Sequence, residues 1–169
     1  MKFRTLEGES ASDMVALQRL LDRADEYFNR ITGYPAGLAE NQTLYSSLPE
    51  GVSYEDKFLF GLFDGNSLLC CADVIRGYPR LNIAEIGTFI VDWQVRRRGY
   101  GARTMAEIEE RAKTWPGIDR LRCEVPVVLH DGIKFLEAGS FAATGESRAY
   151  EYARVKCEQI VLEKRVVWH

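Results

Sequence analysis

The sequence lacks the cysteine spacing of a zinc site or of a redox-active dithiol. Its four cysteines are the adjacent Cys70 and Cys71 and the isolated Cys123 and Cys157, and no C-x-x-C pair has a histidine partner. Neighbouring residues of a strand point to opposite faces of the sheet, so we do not expect a disulfide between Cys70 and Cys71. The pattern predicts four reduced thiols in a cytoplasmic protein that holds no metal.

Long apolar runs and an excess of positive charge are also missing. No run approaches the roughly 18–20 apolar residues of a membrane-spanning helix, and Met1–Thr5 lacks the apolar core of a secretory signal. Lys and Arg number 22 against 25 Asp and Glu, which gives a net charge of −3. A general nucleic-acid binder usually has the opposite balance. We therefore expect a soluble intracellular protein that binds neither membranes nor nucleic acids.

The chain also lacks an evident linker, internal repeat or low-complexity segment that would divide it. Its 169 residues are 46% hydrophobic and 28% charged, which is typical of a globular protein. Single domains most often have roughly 100–150 residues. We predict one domain over residues 1–169, present as a monomer or a homodimer.

Hydrophobic spacing divides the chain into strands and helices. Apolar residues at helical spacing, after a cap at Ser12 or Asp13, predict one helix that ends near Thr32–Pro35. A weaker pattern predicts a second helix over Leu38–Leu48. The other helices are predicted over Gly101–Thr114 and Asp131–Ala138, and the strands over Lys2–Leu6, Lys57–Phe63, Leu68–Ile75, Ile83–Val91, Arg120–Val127, Phe141–Val155 and Gln159–Val167. The order β-α-α-β-β-β-α-β-α-β-β predicts an α/β (α+β) fold in which helices flank a mixed sheet.

The segment Val91–Ala102 connects a strand to a helix and carries two glycines and three consecutive arginines. Because the first N–H groups of a helix have no partner within it, glycines at this position allow an anion to approach the backbone. Arg96, Arg97 and Arg98 add positive charge where that anion would lie. A Walker A loop requires a Lys after its second glycine, and a dinucleotide fingerprint requires a third glycine where this chain has Thr104. The pattern indicates a phosphate or pyrophosphate site of another kind.

The spacing R-x-x-G-x-G, formed by Arg96, Gly99 and Gly101, resembles the coenzyme A pyrophosphate loop of the GCN5-related N-acetyltransferase (GNAT) family. Phe135–Glu146 is similar to a late segment of the same family. The resemblance implies a GNAT-like fold with a mostly antiparallel central sheet of about seven strands, and acetyl-CoA as co-substrate. It also implies that the coenzyme lies between the strand that ends at Val91 and the next strand along the chain. Its contacts would come from the first of these strands and from the loop, namely from Phe89, Ile90, Val91, Arg96, Arg97, Arg98, Gly99, Tyr100, Gly101 and Ala102.

Glu85 is the candidate general base. It precedes Gly99 by an interval similar to that of the catalytic glutamate in the histone-acetylating members of the family, and its strand is otherwise apolar. Burial raises the pKa of a carboxylate toward neutrality, which suits the deprotonation of an ammonium group. The alternatives are an outward-facing glutamate or the partner of a salt bridge.

The expected position of the general acid departs from the family. Many members have a Tyr that protonates the leaving thiolate, and the corresponding residue here is Leu136. Tyr150, Tyr152 and solvent are the alternative proton donors, while strand packing is the other interpretation of the two tyrosines. We interpret His130 as a residue at the start of a helix rather than as a catalyst.

These observations predict an acetyl-CoA-dependent N-acetyltransferase that acts on a primary amine of a small molecule or of a protein. The first alternative is a protein-lysine acetyltransferase, because of the segment around Glu85. The second is a catalytically silent acyl-CoA-binding or sensor domain, because of Leu136. The region of the first two helices offers acidic and aromatic residues that suit either a cationic amine or an ordinary amphipathic helix, namely Asp25, Glu26, Tyr27, Tyr34 and Tyr45.

Overall fold

The computed structural model describes residues 1–166 as seven strands and five α-helices. The strands are β1 (Lys2–Thr5), β2 (Lys57–Asp64), β3 (Ser67–Arg76), β4 (Ile83–Val91), β5 (Arg120–Pro126), β6 (Ala142–Tyr152) and β7 (Val155–Arg165). The helices are α1 (Ala11–Asp22), α2 (Asp25–Thr32), α3 (Glu40–Ser46), α4 (Tyr100–Ala112) and α5 (His130–Ala138). The last predicted strand was expected to end at Val167, which lies outside the described residues.

The seven strands form one sheet in the order β1-β2-β3-β4-β5-β7-β6. Every neighbouring pair is antiparallel except β4 and β5, which run parallel. A parallel pair requires a crossover connection, and α4 supplies it between these two strands. The predicted mixed, mostly antiparallel sheet of seven strands flanked by helices is confirmed.

Helices cover both faces of the sheet and divide the hydrophobic core into two clusters. On one face, α4 and α5 pack over the sheet, and Ile108 and Leu121 are completely buried there. On the other face, α1, α2 and α3 enclose a second cluster that contains Leu17, Leu20 and Leu21. Complete burial of one such side chain contributes about 1.5–3 kcal/mol. The two clusters therefore fix the helices on either side of the strands.

The long first helix of the prediction is wrong, because the structure has two helices, α1 and α2, separated by Arg23 and Ala24. The N–H groups of these residues donate to the carbonyl oxygens of Leu20 and Leu21, at 3.2 and 3.0 Å. Each bond spans three residues, whereas the hydrogen bonds of an α-helix span four. Arg23 also pairs with Asp92 at 2.6 Å. This contact is distant in sequence, which explains the missed break. The weaker predicted helix corresponds to α3, so three helices rather than two precede β2.

The cap of α1 is also not the predicted one. Ser10, rather than Ser12 or Asp13, is the N-cap residue, and its side-chain oxygen accepts a hydrogen bond from the Asp13 N–H at 3.2 Å. The Asp13 carboxylate accepts two hydrogen bonds from Arg4, both at 2.8 Å, and one from the Glu7 N–H at 2.9 Å. Asp13 therefore ties β1 to the first turn of α1.

The last two strands meet at a different turn from the one predicted. The turn lies at Ala153 and Arg154, inside the strand predicted over Phe141–Val155. Ala153 has a φ of 51°, a conformation that usually requires Gly or Asn, so the sequence carries no turn signal here. The Arg154 N–H donates to the carbonyl oxygen of Thr32 at 3.0 Å, which fixes the turn against the end of α2.

Replacing Asp13 with Asn is expected to lower the free energy of unfolding at neutral pH. The variant loses the ion pair with Arg4, and one hydrogen bond to a charged group contributes about 1.5–3 kcal/mol. The hydrogen bonds from Arg4 hold the pKa of Asp13 below its ordinary value. This stabilisation is therefore complete above the ordinary carboxyl pKa and disappears as the pH falls through the lowered one.

Urea unfolding of Asp13→Asn at a series of pH values measures this effect, with Glu9→Gln, an exposed carboxylate of the same segment, as the matched control. We expect the stability of the variant and of the unmodified protein to converge in acid. A difference that stays constant through the acid range would contradict the ion-pair explanation.

Candidate active site

A gap opens in the middle of the sheet between the parallel strands β4 and β5. Their pairing ends at Ile86 and Cys123. On the opposite edge of β4 the register with β3 shifts, because two residues of β4, Gly87 and Thr88, lie opposite one residue of β3, Asp73. A bulge of this kind bends its strand, and β4 leaves β5 at this point.

Beyond the bulge, the backbone N–H and C=O groups of successive β4 residues point alternately toward β3 and toward the gap. The Asp92 N–H donates to the carbonyl oxygen of Leu69 on β3 at 2.8 Å. Alternate residues of an antiparallel strand share a direction, so the backbone groups of Ile90 also face β3. Those of Phe89 and Val91 face the gap instead. They are the backbone groups that an extended ligand could pair with.

A cavity of about 110 Å³ lies in this gap. Its wall includes residues from both layers of helices, with Tyr27 of α2 on one side and Leu136 of α5 on the other. Phe89 of β4, Glu124 of β5 and Phe135 of α5 also line it. The gap is therefore accessible to groups from both faces of the sheet.

A larger cavity, of about 550 Å³, lies at the N-terminus of α4. Gly99 caps this helix with a φ of 84°, which Gly adopts without steric strain. The N–H groups that follow it have no partner within the helix. Together with Val91, six residues of the predicted loop line the cavity, namely Arg96, Arg97, Gly99, Tyr100, Gly101 and Ala102.

Two features of this cavity differ from the prediction. The exposed Arg98 is not among the residues that line it, although its two neighbours are. Asp131, Lys134 and Phe135 of α5 do line it, and Lys134 brings a further positive charge. No spacing in the sequence indicates these three residues, because they reach the cavity only through the packing of α5 beside α4.

Gly101 allows α4 to lie close to β4 and α5. A Cβ atom at this position would be 3.2 Å from Cγ2 of Val91 and 3.2 Å from the ring of Phe135. Phe135 packs in turn against Phe89, with ring centroids 5.4 Å apart. The second glycine of the motif therefore serves the packing of α4 as well as access to its N–H groups.

Two ion pairs connect the loop and the end of β4 to α2. One guanidinium nitrogen of Arg96 lies 3.8 Å from the Glu26 carboxylate, and both side chains are well exposed. Asp92 is buried, and its two oxygens accept hydrogen bonds from Arg23 at 2.6 Å and from the Gln94 N–H at 3.0 Å. The exposed pair contributes little to stability, whereas the buried carboxylate fixes the position of α2.

Glu85 lies on the α2 side of the sheet, because its neighbour Ile86 points into the core under α4. Glu85 forms a salt bridge with Arg122 of β5, which is also 3.6 Å from Glu124, and Glu124 pairs with Arg148. Burial raises the pKa of Glu85, while the charge of Arg122 opposes that rise. Glu85 is thus a salt-bridge partner, and its role as a base stays a prediction.

The candidate proton donors lie in different surroundings. Leu136 is buried and lines the gap. The hydroxyl of Tyr150 donates to the carbonyl oxygen of Ile31 at 2.6 Å, and Tyr152 is 62% exposed. His130 is the first residue of α5, as interpreted from the sequence, and is exposed.

The five residues proposed to face an acceptor are not all brought together. Tyr27 lines the gap, and it shares a second, more open cavity of about 230 Å³ with Asp25 and Glu26. Tyr45 lines a separate cavity beside β1. Tyr34 is exposed and lines none of these cavities. Three of the five residues, namely Asp25, Glu26 and Tyr27 at the start of α2, therefore lie together.

The described part of the chain has no group of three or more His, Cys, Asp or Glu side chains placed to hold a metal ion. The four cysteines are free. Among the helices of residues 1–166, none is both long and apolar enough to cross a membrane.

Solved structures share this fold over nearly their full lengths. An acetyltransferase from Thermus thermophilus is 20% identical, with a TM-score of 0.71 over 98% of this chain and 97% of that one. The ribosomal-protein-S18-alanine N-acetyltransferase from Escherichia coli is 18% identical, with a TM-score of 0.71 over 99% and 95%. An N-acetyltransferase from Staphylococcus aureus is 17% identical, with a TM-score of 0.71 over 98% of each chain. At these identities the likeness concerns the fold.

Sequence comparison supplies the family. No curated protein is significantly similar to the chain. In contrast, the acetyltransferase (GNAT) family matches residues 17–139. The match covers more than half of the chain and includes the gap between β4 and β5 and the loop before α4, so the chain belongs to the acetyltransferase (GNAT) family.

Proposed function

We propose that the protein is an acetyl-CoA-dependent N-acetyltransferase that acetylates a primary amine of a small molecule or of a protein. The observation that carries the proposal is the adjacency of two cavities, one in the sheet gap and one at the N-terminus of α4. Phe135 lines both of them. A ligand with an extended arm and a charged phosphate group fits such a pair of cavities.

Acetyl-CoA has both of these parts. The backbone groups of Phe89 and Val91 can pair with the amide groups of the pantetheine arm in the gap. The N–H groups at the start of α4 can receive the pyrophosphate, and Arg96 and Arg97 can neutralise its charge. Lys134 adds a charge that the motif alone did not indicate. Tyr100, Gly101 and Ala102 would contribute backbone groups, whereas Ile90 and Arg98 contribute least.

The amine then attacks the thioester carbonyl carbon from the α2 side of the gap. A C–N bond forms, the C–S bond breaks and the thiolate leaves. The nitrogen loses one proton before the attack, when the ammonium becomes a neutral amine, and a second one after it. The protein holds the two substrates together and stabilises the charge that develops on the carbonyl oxygen. Leu136 has no proton to give, Tyr150 is engaged with α2, and Tyr152 is exposed and lines neither cavity. We therefore assign the proton for the thiolate to solvent.

Glu85 is the proposed acceptor of the proton from nitrogen. Its burial strengthens it as a base, and the neighbouring Arg122 weakens it. Because Arg122 stabilises the charged form of Glu85, a change in that salt bridge alters the basicity of Glu85. The pH dependence of the rate follows from these two opposing effects.

Two other functions are separable by experiment. The buried Leu136, which cannot act as an acid, favours a catalytically silent acyl-CoA sensor. Acetyl-CoA turnover with a panel of small primary amines and of lysine-containing peptides distinguishes the candidates. Coenzyme A binding without transfer to any amine would favour the sensor, and transfer to peptides alone would favour a protein-lysine acetyltransferase.

The four free thiols support a cytoplasmic location for any of these functions.

Replacing Gly101 with Val is expected to lower the affinity for coenzyme A at least about tenfold, or roughly 1.4 kcal/mol. The new side chain meets Val91 and Phe135 and displaces the start of α4 from the phosphate position. Calorimetric titration measures the affinity, and a thermal melt shows whether the domain stays folded. Gly37→Val is the matched control, because a Cβ atom at Gly37 has no neighbour within 4 Å. Unchanged binding by a folded Gly101→Val variant would contradict the proposed phosphate position.

Reversing the charge of Arg97 is expected to raise the KM for acetyl-CoA more than it lowers kcat. Arg97 holds a part of the substrate that does not react, so its loss weakens binding before chemistry. Arg98→Glu is the matched control, since Arg98 is adjacent and exposed but outside the cavity. Steady-state kinetics at two salt concentrations measure the difference, which shrinks as salt screens the charges. Equal effects of the two variants would show that only the net charge of the loop matters.

Replacing Glu85 with Gln is expected to lower kcat by about 10²–10⁴-fold, the usual contribution of a general base. The affinity for coenzyme A stays unchanged, because Glu85 lies outside the phosphate cavity. In the unmodified enzyme kcat rises with pH as Glu85 loses its proton, through a pKa raised above its ordinary value. The charge of Arg122 opposes the increase in the Glu85 pKa. Arg122→Gln is therefore expected to shift the rise of kcat to higher pH. Near-normal turnover by Glu85→Gln would show that another group accepts the proton.

A further inference from the structure

Asp73 of β3 is a carboxylate beside the gap that the proposed reaction does not use. It lies opposite the bulge of β4, and its side chain is 14% exposed. A Cβ atom at Gly87 would be 3.1 Å from Oδ2 of Asp73, so the absence of a side chain at position 87 leaves this oxygen open to the bulge. Gly87 itself is exposed and lines the gap.

The two oxygens of Asp73 lie in different surroundings. Oδ1 is buried and accepts no hydrogen bond within residues 1–166. The cation beside it is Lys57, whose Nζ is 3.6 Å away, beyond hydrogen-bond distance. The Lys57 ammonium donates instead to the carbonyl oxygens of Leu44 and Ser47, each at 2.5 Å, and to the hydroxyl of Ser47 at 3.3 Å. Lys57 thus fastens the end of α3 and forms an ion pair with Oδ1 of Asp73, whereas Oδ2 is the oxygen that faces the bulge.

The surroundings of Asp73 suit a small cation. Tyr27 of α2 and Gly87 of the bulge line the gap together. Burial raises the pKa of Tyr27, and the charge of Asp73 makes a smaller contribution in the same direction. An aromatic ring and a carboxylate on one side of a gap attract a cationic amine. Tyr150 of β6 also lies on this side and is held against α2.

The other carboxylates on this face of the sheet pair with arginines, whereas Asp73 pairs with Lys57 through Oδ1. Glu85 and Glu124 share Arg122, and Glu124 also pairs with Arg148. Glu163 of β7 has a buried oxygen without a hydrogen bond, but β7 is separated from β4 by β5. Asp73 is therefore the carboxylate of this face that has an oxygen, Oδ2, directed at Gly87 of the bulge.

We propose that Asp73 binds the ammonium group of the acceptor at the bulge, so that the acceptor reaches the gap as a cationic primary amine. The ammonium donates a hydrogen bond to Oδ2 of Asp73, while Lys57, held by α3, stays beside Oδ1. Glu85 remains the proposed acceptor of the first proton, which the ammonium loses before it attacks the thioester. This inference rests on the proposed acetyl transfer for its biological meaning, but the binding itself can be measured without any transfer.

The experiment is an NMR titration of isotope-labelled protein, with and without coenzyme A, by n-butylammonium chloride. n-Butanol is the neutral ligand of the same length. We expect n-butylammonium, and not n-butanol, to shift the amide signals of Gly87 and Thr88. Asp73→Asn should abolish these shifts, whereas Asp64→Asn, an exposed carboxylate at the end of β2, should retain them. The dispersion of each spectrum shows whether the variant is folded.

The outcomes separate the two proposals. Equal shifts in Asp73→Asn, or equal shifts with n-butanol, would overturn the role of Asp73. If Asp73→Asn does not fold, the comparison of the two ligands on the unmodified protein decides. For any amine that is acetylated, Asp73→Asn should raise the KM for the amine at least about tenfold with little change in the KM for acetyl-CoA. Ammonium binding at Gly87 without turnover of any amine would instead count against the proposed acetyl transfer.

Discussion

The bulge in β4 is the constraint on which the rest of the structure depends. Two residues of β4, Gly87 and Thr88, lie opposite a single residue of β3, Asp73. The strand bends there, so β4 cannot continue beside β5. The strands then separate and leave backbone groups of β4 without partners in the sheet. An unpaired backbone group costs free energy when it is buried, so these groups favour any ligand that can pair with them. One extra residue thus shapes the side of the gap proposed for the coenzyme and places Asp73 opposite Gly87 and Thr88.

Features that reside in contiguous residues could be predicted from the sequence. The loop from Arg96 to Gly101 is one example, since its arginines, glycines and following helix are adjacent in the chain. The strand that carries Glu85 is another. Lys134 and Arg122, in contrast, act on these residues from α5 and β5. Their positions depend on which elements are neighbours in space, and no spacing in the chain encodes that arrangement.

The errors in element boundaries have the same origin. Hydrophobic periodicity continues across Arg23, but the contact of its side chain with Asp92 accompanies the end of α1. Ala153 gives no turn signal, but the backbone contact of Arg154 with Thr32 fixes a turn there. In both places a tertiary contact overrides local propensity. The neighbouring sequence contains only one of the two residues that form the contact.

The position of Asp92 has a consequence for how the two substrates affect each other. One of its oxygens holds the Gln94 N–H at the start of the loop that leads to α4, and the other holds Arg23 where α1 gives way to α2. The start of α2 and the loop before α4 thus share one buried contact, Asp92. In the proposed reaction these are the acceptor side and the coenzyme side, so a ligand that displaced one of them would act on the other through Asp92. Such coupling is reciprocal, so the factor by which bound coenzyme changes the affinity for the amine is also the factor by which bound amine changes the affinity for the coenzyme.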